Sequence, residues 1–286
     1  MRYSKDFKDY ELIDANNGKR LERWGNIFLV RPDPQAMWNL PFDQRKWDKA
    51  HAVYHRSSSG GGAWEVVKSV PDVWSIGYKG LTFNLKPMGF KHTGLFPEQA
   101  VNWDLMSEFI EKANRPVKVL NLFAYTGGAT LACLKAGASV THVDASKGMV
   151  QWAKENAKAS GLADKPVRWL VDDCVKFVQR EIRRGNKYDA VVMDPPSYGR
   201  GPNGEVWKLE DNLCELLELV SQVLVKEPLF FLLNSYTAGL SHTVLNFLTE
   251  QIIGKDRKGR AVTEEIGLKV TDKNLILPAG NTTIWK

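Results

Sequence analysis

The sequence predicts an α/β protein built on a largely parallel sheet, with a smaller β-rich module in front of it. Three observations carry this. From about residue 104, helical segments alternate five times with short apolar runs, the order that right-handed crossover connections demand. The tail breaks that order: "VTEEIGLKV" and "NLILPAGNTTIW" read as two strands joined by "TDKN", a terminal antiparallel hairpin. The first ninety or so residues hold only short strands punctuated by Asn-Gly and Gly-Gly-Gly turns. At 286 residues the chain exceeds the usual size of one domain, and the boundary is expected near residue 85.

In chain order, residues 1–85 contribute "YELIDANNGKRLERWGNIFLVRP", "HAVYHRSSSGGGAWEVVKS" and "WSIGYKGLTFNLKP", with alternation clearest in "AWEVVKS" and "GLTFNLKP". This module carries Trp24, Trp38, Trp47, Trp64 and Trp74. The chain's charge excess is N-terminal: Met1 to Leu95 holds 15 Lys and Arg against 10 Asp and Glu, +5 of a total +6. Two readings follow. The indoles fill the core of a small domain short of apolar bulk, or they stack on nucleobases while Lys and Arg meet phosphates.

Residues 86–286 pair the helix "DLMSEFIEKAN" with the strand "VKVLNLF", "ATLACLKAG" with "SVTHVD", and "SKGMVQWAKENAKASG" with "PVRWLVDD". "CVKFVQREIRRG" then leads to "YDAVVMD", and "NLCELLELVSQVL" to "PLFFLLNSYT". Hydrophobic residues make up 43% and charged residues 25%, a balance that excludes disorder. No apolar run approaches the length of about eighteen that a spanning helix needs, and "MRYSKDFKDYELID" is too charged for a signal peptide, so a soluble, cytoplasmic protein without a membrane partner is expected. Cys133, Cys174 and Cys214 lack CxxC spacing, which argues against disulfides and structural zinc; no metal site is expected.

In such sheets ligands sit at the carboxyl ends of the strands. After the first strand, "NLFAYTGGATLA" places Gly127 and Gly128 where the backbone turns sharply into a helix. The second strand ends at Asp144, where a carboxylate can accept from both hydroxyls of a ribose. The third ends at Asp172 and Asp173, either of which could accept from an adenine amino group, and the fourth at Asp194. The loop lacks the GxGxxG order that brings a pyrophosphate close, which disfavours NAD. A ribose-binding acid without a phosphate cradle fits a nucleoside cofactor that has no phosphate, and S-adenosylmethionine is one.

These segments, with "VDDCVKFV", "DAVVMDPPSYGRG" and the upstream "GFKHTGLFPEQAVNW", resemble the class I S-adenosylmethionine-dependent methyltransferases. The resemblance runs from about residue 85 to the C-terminus and is strongest to the branch of bacterial ribosomal RNA large-subunit methyltransferases of the cytosine-C5 type. It implies a Rossmann-like sheet of seven strands whose last strand is antiparallel. It further implies that Phe123, Tyr125, Thr126 and Gly127 wrap the methionine part of the cofactor, with Asn121 standing where the family often has an acid. Asp144, flanked by Ala145 and Ser146, would take the ribose, and Asp173, flanked by Asp172 and Cys174, the adenine. Thr93, Gly94, Phe96 and Gln99 would close over the cofactor from the linker, and Asp194 would border it.

The stretch "MDPPSYGRGPNGEVWK" is similar to the Asp/Asn-Pro-Pro-aromatic loops of methyltransferases acting on nucleobase amino groups. In those loops the first side chain accepts from the amine and an aromatic ring stacks on the base. The catalytic set implied is Asp194, Pro195, Pro196 and Tyr198, although Ser197 holds the usual aromatic position. Cytosine-C5 methylation needs a cysteine nucleophile. The related branch carries one after the fifth strand, where this chain has Ser235, Tyr236 and Thr237; Cys133 and Cys174 are expected to pack. The expected activity is therefore methylation of RNA, ribosomal RNA first, at a base nitrogen. The competing readings are a protein or small-molecule methyltransferase, and a non-catalytic RNA-binding module on a degenerate fold.

Overall fold

The computed structural model describes residues 1–57, 61–200, 206–237 and 239–286. Ser58, Ser59 and Gly60 of the expected first-module turn, and Gly201 and Gly204 of the glycine-rich stretch after Asp194, lie outside the described residues. The chain forms two compact units. One comprises Tyr3–Ala100 with Gly267–Pro278; the other comprises Met1–Arg2, Val101–Ile266 and Ala279–Lys286. The units thus divide at Ala100/Val101, against residue 85 read from the sequence, and the tip of the terminal hairpin belongs to the first unit.

In the N-terminal unit, β1 (Tyr10–Asn16), β2 (Lys19–Trp24) and β3 (Ile27–Pro32) form an antiparallel meander. The first turn is Asn17-Gly18, with φ of 48° and 71°, the pair of left-handed residues that a two-residue hairpin of matching twist requires. A short helix α1 (Gln44–Trp47), capped by the Asp43 carboxylate on the Arg45 amide, leads to β4 (Ala52–Arg56), which runs parallel to β3. β5 (Gly62–Val66) pairs antiparallel with β4. A separate hairpin joins β6 (Trp74–Tyr78) to β7 (Leu81–Leu85), and a 3-10 turn at Pro97–Gln99 follows.

The five tryptophans of this unit are structural. Trp24 is wholly buried, and the others are half-buried. Trp38, Trp47 and Trp64 donate their indole N–H to the Ala15 carbonyl, the Asp14 carboxylate and the Met88 carbonyl, at 2.7, 2.9 and 2.9 Å. Beneath them lies a buried charge cluster. Arg31 donates to both oxygens of Glu22 at 2.6 and 2.7 Å and to the Lys91 carbonyl at 3.0 Å. Tyr10 donates to the same carboxylate at 2.8 Å, and Arg20 lies 3.3 Å from it. The Arg31 guanidinium also covers the Trp24 ring at 5.2 Å.

The second unit opens on α2 (Ala100–Lys112) and continues through β8 (Lys118–Leu122), α3 (Gly128–Lys135), β9 (Ser139–Asp144), α4 (Lys147–Ala159), β10 (Val167–Val171), α5 (Cys174–Arg183) and β11 (Ala190–Met193). A two-stranded insert, β12 (Tyr198–Arg200) and β13 (Val206–Lys208), precedes α6 (Leu209–Val223). β14 (Phe230–Ser235), α7 (His242–Ile252), β15 (Ala261–Val270) and β16 (Leu275–Trp285) follow, with the end of β15 and the start of β16 counted in the first unit. The strand order is β10-β9-β8-β11-β14-β16-β15, parallel from β10 through β14 and antiparallel at β14/β16. The expected Rossmann-like α/β sheet is present.

Helices cover both faces, so β11 and β14 are buried along their whole length, as their unbroken apolar runs require. Phe177, Met193, Leu213, Leu216, Phe231 and Leu233 pack one core layer. The chain runs outward from β8 to β10 and returns to β11, so the order switches between β8 and β11 and opens a crevice beyond their carboxyl ends. Among the described residues no helix is long and apolar enough to cross a membrane.

Burial alone would push Glu22 up; Arg20 and Arg31 outweigh it and hold the carboxyl down to about 2. Its folded value lies below an unfolded value of about 4.3, so its contribution to stability is complete above that pH and is lost as pH falls toward the folded value. Glu22→Gln leaves two buried guanidiniums short of compensation and should cost about 3 kcal/mol or more at neutral pH. Chemical denaturation of both proteins between pH 7 and 3 checks this: the gap should narrow on acidification, and a constant gap would show that the pair's charge is not what stabilises the unit.

Candidate active site

The loop between β8 and α3 carries three left-handed residues within five positions: Phe123 at φ 55°, Tyr125 at 50° and Gly127 at 89°. Two of them have side chains, a conformation that costs energy and persists only where surrounding bonds enforce it. Those bonds come from β9 and from the helices α4 and α5. The Phe123 amide donates to the Cys174 sulfur at 3.3 Å, and the Ala124 amide to the Val143 carbonyl at 3.0 Å. The Tyr125 amide donates to Asp144 Oδ2 at 2.8 Å. Asn156, buried on the apolar face of α4 beside Ala153 and Ala157, donates to the Thr126 carbonyl at 2.9 Å.

Asp144 binds on both sides, because Oδ1 accepts the Ser146 amide at 2.8 Å while Oδ2 holds Tyr125. Among the described residues no Lys, Arg or His pairs with it. Burial, partly opposed by those two amides, holds its carboxyl above the ordinary aspartate range. Ser146 also caps α4 through the Met149 amide at 3.4 Å, and Ala145 is exposed between them.

The two neighbouring aspartates at the end of β10 are separated by their partners. Asp172 is ion-paired to Arg180. Asp173 caps α5 through Oδ1, accepting the Lys176 amide at 2.8 Å. Cys174 is buried, receives Phe123 N–H and donates weakly to the Val143 carbonyl at 3.8 Å, and burial pushes its thiol well above the usual range. It ties the loop to the sheet. Asn121 faces inward: it donates to Thr130 Oγ1 at 2.9 Å, which in turn meets His142 Nδ1 at 2.9 Å. Burial lowers His142 to about 3, so this chain is uncharged.

The β11 end is clamped from four directions. The Asp194 amide approaches the Leu122 carbonyl at 3.5 Å. Pro195 is buried and Pro196 exposed, and the Pro196 carbonyl accepts the Trp207 indole N–H at 2.7 Å. Ser197 accepts the Leu209 amide on its carbonyl at 3.0 Å and the Thr237 hydroxyl on its own oxygen at 2.7 Å. Trp207 also meets the Phe123 ring at 5.8 Å, which joins the proline lip to the β8 loop. Tyr198, opening β12, is half exposed. The structure therefore gathers Asn121 to Gly127, Asp144 to Ser146, Asp172 to Cys174 and Asp194 to Tyr198 at the carboxyl ends of four adjacent strands.

Thr93, Gly94, Phe96 and Gln99 lie in the N-terminal unit. Thr93 is fully buried with no partner for its hydroxyl, Gly94 has φ 100°, and Phe96 tilts against His92 at 5.2 Å. Sequence reasoning missed Trp207 and Asn156, and it named Thr237 only for its place in the loop after the fifth strand, not for its bond to Ser197. Asn156 had a signal, a polar residue at helical spacing among Val150, Ala153 and Ala157; Trp207 had none. Gly128, the second glycine of the turn between β8 and α3, is packed closely by α2. A Cβ there would stand 2.7 Å from the Trp103 ring, so the second glycine serves helix packing.

A strained, cation-free loop beside a carboxylate that keeps unused lone pairs is suited to a neutral, hydroxyl-bearing nucleoside, and the residues from Leu122 to Thr130 offer no Lys or Arg to a phosphate. Such chemistry suits an α/β enzyme that takes a phosphate-free nucleoside cofactor. Known proteins agree with it. The model of the S-adenosylmethionine-dependent methyltransferase family matches residues 46–239, and the chain belongs to that family. Its cofactor is S-adenosylmethionine.

The chain is similar to an S-adenosylmethionine-dependent methyltransferase of Agrobacterium tumefaciens, 37% identical with a TM-score of 0.93 over 99% of this chain and 92% of that one. It shares its fold with a Streptococcus mutans methyltransferase at 18% identity, with a TM-score of 0.73 over 99% of this chain and 76% of the other. A ribosomal RNA large subunit methyltransferase K/L of Shewanella frigidimarina is 33% identical over 140 residues, 48% of this chain and 19% of that protein. The corresponding Pseudoalteromonas atlantica protein is 31% identical over 156 residues, 54% of this chain and 21% of its own length. The chain thus spans about a fifth of the length of these curated relatives.

The close approach of Gly128 to Trp103 yields a direct check. Gly128→Ala should destabilise the protein by about 1 to 3 kcal/mol through overpacking. In urea unfolding, Trp103→Leu should cancel much of that loss in the double variant. Additive effects would show that the two do not meet.

Proposed function

We propose that this protein methylates a base nitrogen in RNA, ribosomal RNA in particular. The clamped Asp194-Pro195-Pro196 lip beside the β8 loop carries this reading. When bound, S-adenosylmethionine supplies an electrophilic methyl group on a sulfonium. The protein's task is then to align a nucleophile about 3 Å from that carbon and to exclude water.

A nitrogen nucleophile needs acceptors for its protons, held still before it arrives. Asp194 supplies a carboxylate at a strand end, and the bonds from Trp207, Thr237 and Leu209 immobilise the prolines that follow it. Carbon methylation would need a thiolate. Cys133 and Cys174 are buried, with burial pushing Cys133 up to about 12, and Cys214 lies on α6. The loop after β14 offers Ser235, Tyr236 and Thr237, with the Tyr236 ring lying over Gly280. On this reading the half-exposed Tyr198 ring stacks on an extruded base. The names of the ribosomal RNA methyltransferase relatives support RNA as the substrate.

On this reading Phe123, Tyr125, Thr126 and Gly127 surround the methionine part, Asp144 takes both ribose hydroxyls, and the remaining Asp173 oxygen takes the adenine amino group. Asp172, held by Arg180, does not compete for it. Asp144→Ala should weaken cofactor binding about tenfold or more, since two hydrogen bonds to a charged group are lost. Only the ionised carboxylate accepts from both hydroxyls. Affinity should therefore be full at neutral pH and fall as pH drops through the raised Asp144 value, earlier than an ordinary aspartate near about 3.9 would give. Calorimetry from pH 7 to 4.5 reads both effects, and a fall-off that persists in Asp144→Ala would assign it to another group.

The lip is tested separately. Asp194→Ala should leave cofactor affinity nearly intact and lower kcat by orders of magnitude, whereas Asp194→Asn, which keeps an acceptor oxygen, should retain substantial activity. Parental turnover in a folded Asp194→Ala protein would refute the role. Residual activity that merely tracks the folded fraction would make Asp194 a structural tie.

A further inference from the structure

The N-terminal unit contains a cavity of about 370 Å³ that the methyl-transfer chemistry does not use. Its walls include the rings of Tyr3, Phe7 and Tyr10, with Leu12 and Leu268 among the apolar lining, and Lys5 and Lys269 also lining it. We propose that this cavity seats one nucleotide of a single-stranded RNA segment, the base against Tyr3 and Phe7 and the phosphate at Lys5 and Lys269. The proposal rests on RNA being the substrate and deepens it by naming where the N-terminal unit holds the strand.

Three observations lead there. First, the size suits a nucleotide, near the lower end of small-ligand pockets. Second, the aromatic walls are of two kinds. Tyr10 is buried, its hydroxyl spent on Glu22 and its ring edge-on to Trp24 at 4.6 Å, so it serves as floor. Phe7 and Tyr3 are half-buried. Phe7 packs against Tyr78 at 4.6 Å and Tyr10 at 5.7 Å, which holds its ring in place beside the opening. Such rings stack on any base, because every base has a π-face. Of the tryptophans, Trp24 is wholly buried, and Trp38, Trp47 and Trp64 have their indole N–H bound within the unit.

Third, the charge is of one sign where it is free to act. Glu11 is the acidic residue of the lining, and Arg23 binds it at 3.1 Å. Lys5 and Lys269 are exposed, and the Lys5 ammonium stands 5.8 Å from the Tyr3 ring centroid. A cation at the edge of an aromatic cleft suits a ligand that is itself aromatic and anionic. An apolar peptide side chain would gain nothing from the two lysines, and an inorganic phosphate nothing from the rings.

The test uses the full-length protein and a fluorescein-labelled single-stranded RNA oligonucleotide, with anisotropy measured across a salt series. Tyr3→Ala should weaken binding about tenfold, the loss of one stacked base, while Tyr3→Phe should bind as the parent does. Lys5→Ala/Lys269→Ala should flatten the plot of log affinity against log salt by about 1.4, which is about 0.7 for each lost contact to a single strand. Cofactor affinity and melting temperature should not change in the lysine variant, which decides the matter if Tyr3→Ala fails to fold. Parental affinity and slope in both variants, with RNA still bound by the parent, would overturn the cavity and leave the RNA reading standing. No RNA binding by the parent at low salt would overturn both.

Discussion

The Asp144 carboxylate is the interaction on which the catalytic unit depends. Each of its oxygens receives a backbone amide, Tyr125 on one side and Ser146 on the other. These bonds fasten the end of β9 both to the β8 loop and to the start of α4. They help to enforce a loop in which Phe123, Tyr125 and Gly127 hold left-handed backbone angles. The same carboxylate is desolvated, has no cationic partner among the described residues, and keeps lone pairs that these two amides do not use.

The second acidic strand end is built differently. Asp194 draws its rigidity from its neighbours: two prolines, an indole reaching from β13 and a threonine hydroxyl from beyond β14. Phe123 and Trp207 bring the two constructions together, ring against ring at 5.8 Å. The N-terminal unit solves another problem. Beside its apolar core it uses tryptophans, three of which donate their N–H internally, and a buried Glu22–Arg31 pair.

Much of this was legible in the sequence. Alternating helices and apolar runs define the parallel sheet, and three strands ending in aspartate mark the ligand crevice, because strand-to-helix turns there carry both constraint and chemistry. The sequence could not separate Asp172 from Asp173. That choice depends on Arg180, two turns along α5, which takes one of them. Gly128 packs against Trp103, which lies on a different helix, so no local pattern marked the contact. The roles of Trp207 and Thr237 were invisible for a related reason. They arise from hydrogen bonds across eleven and forty residues of chain, which no local pattern encodes. The hairpin tip joined the first unit through the pairing of Leu12 with Val270, a contact of the same long-range kind.

The central claim is that this site places a methyl group on a nitrogen of an RNA base. It is tested most directly by incubating the protein with S-adenosylmethionine carrying a deuterated methyl group and ribosomal RNA that lacks the modification, then digesting the RNA to nucleosides for tandem mass spectrometry. The account predicts a labelled nucleoside whose extra mass stays with the base on fragmentation and matches an N-methylated standard. A label on ribose, at a pyrimidine C5, or only on protein would contradict it.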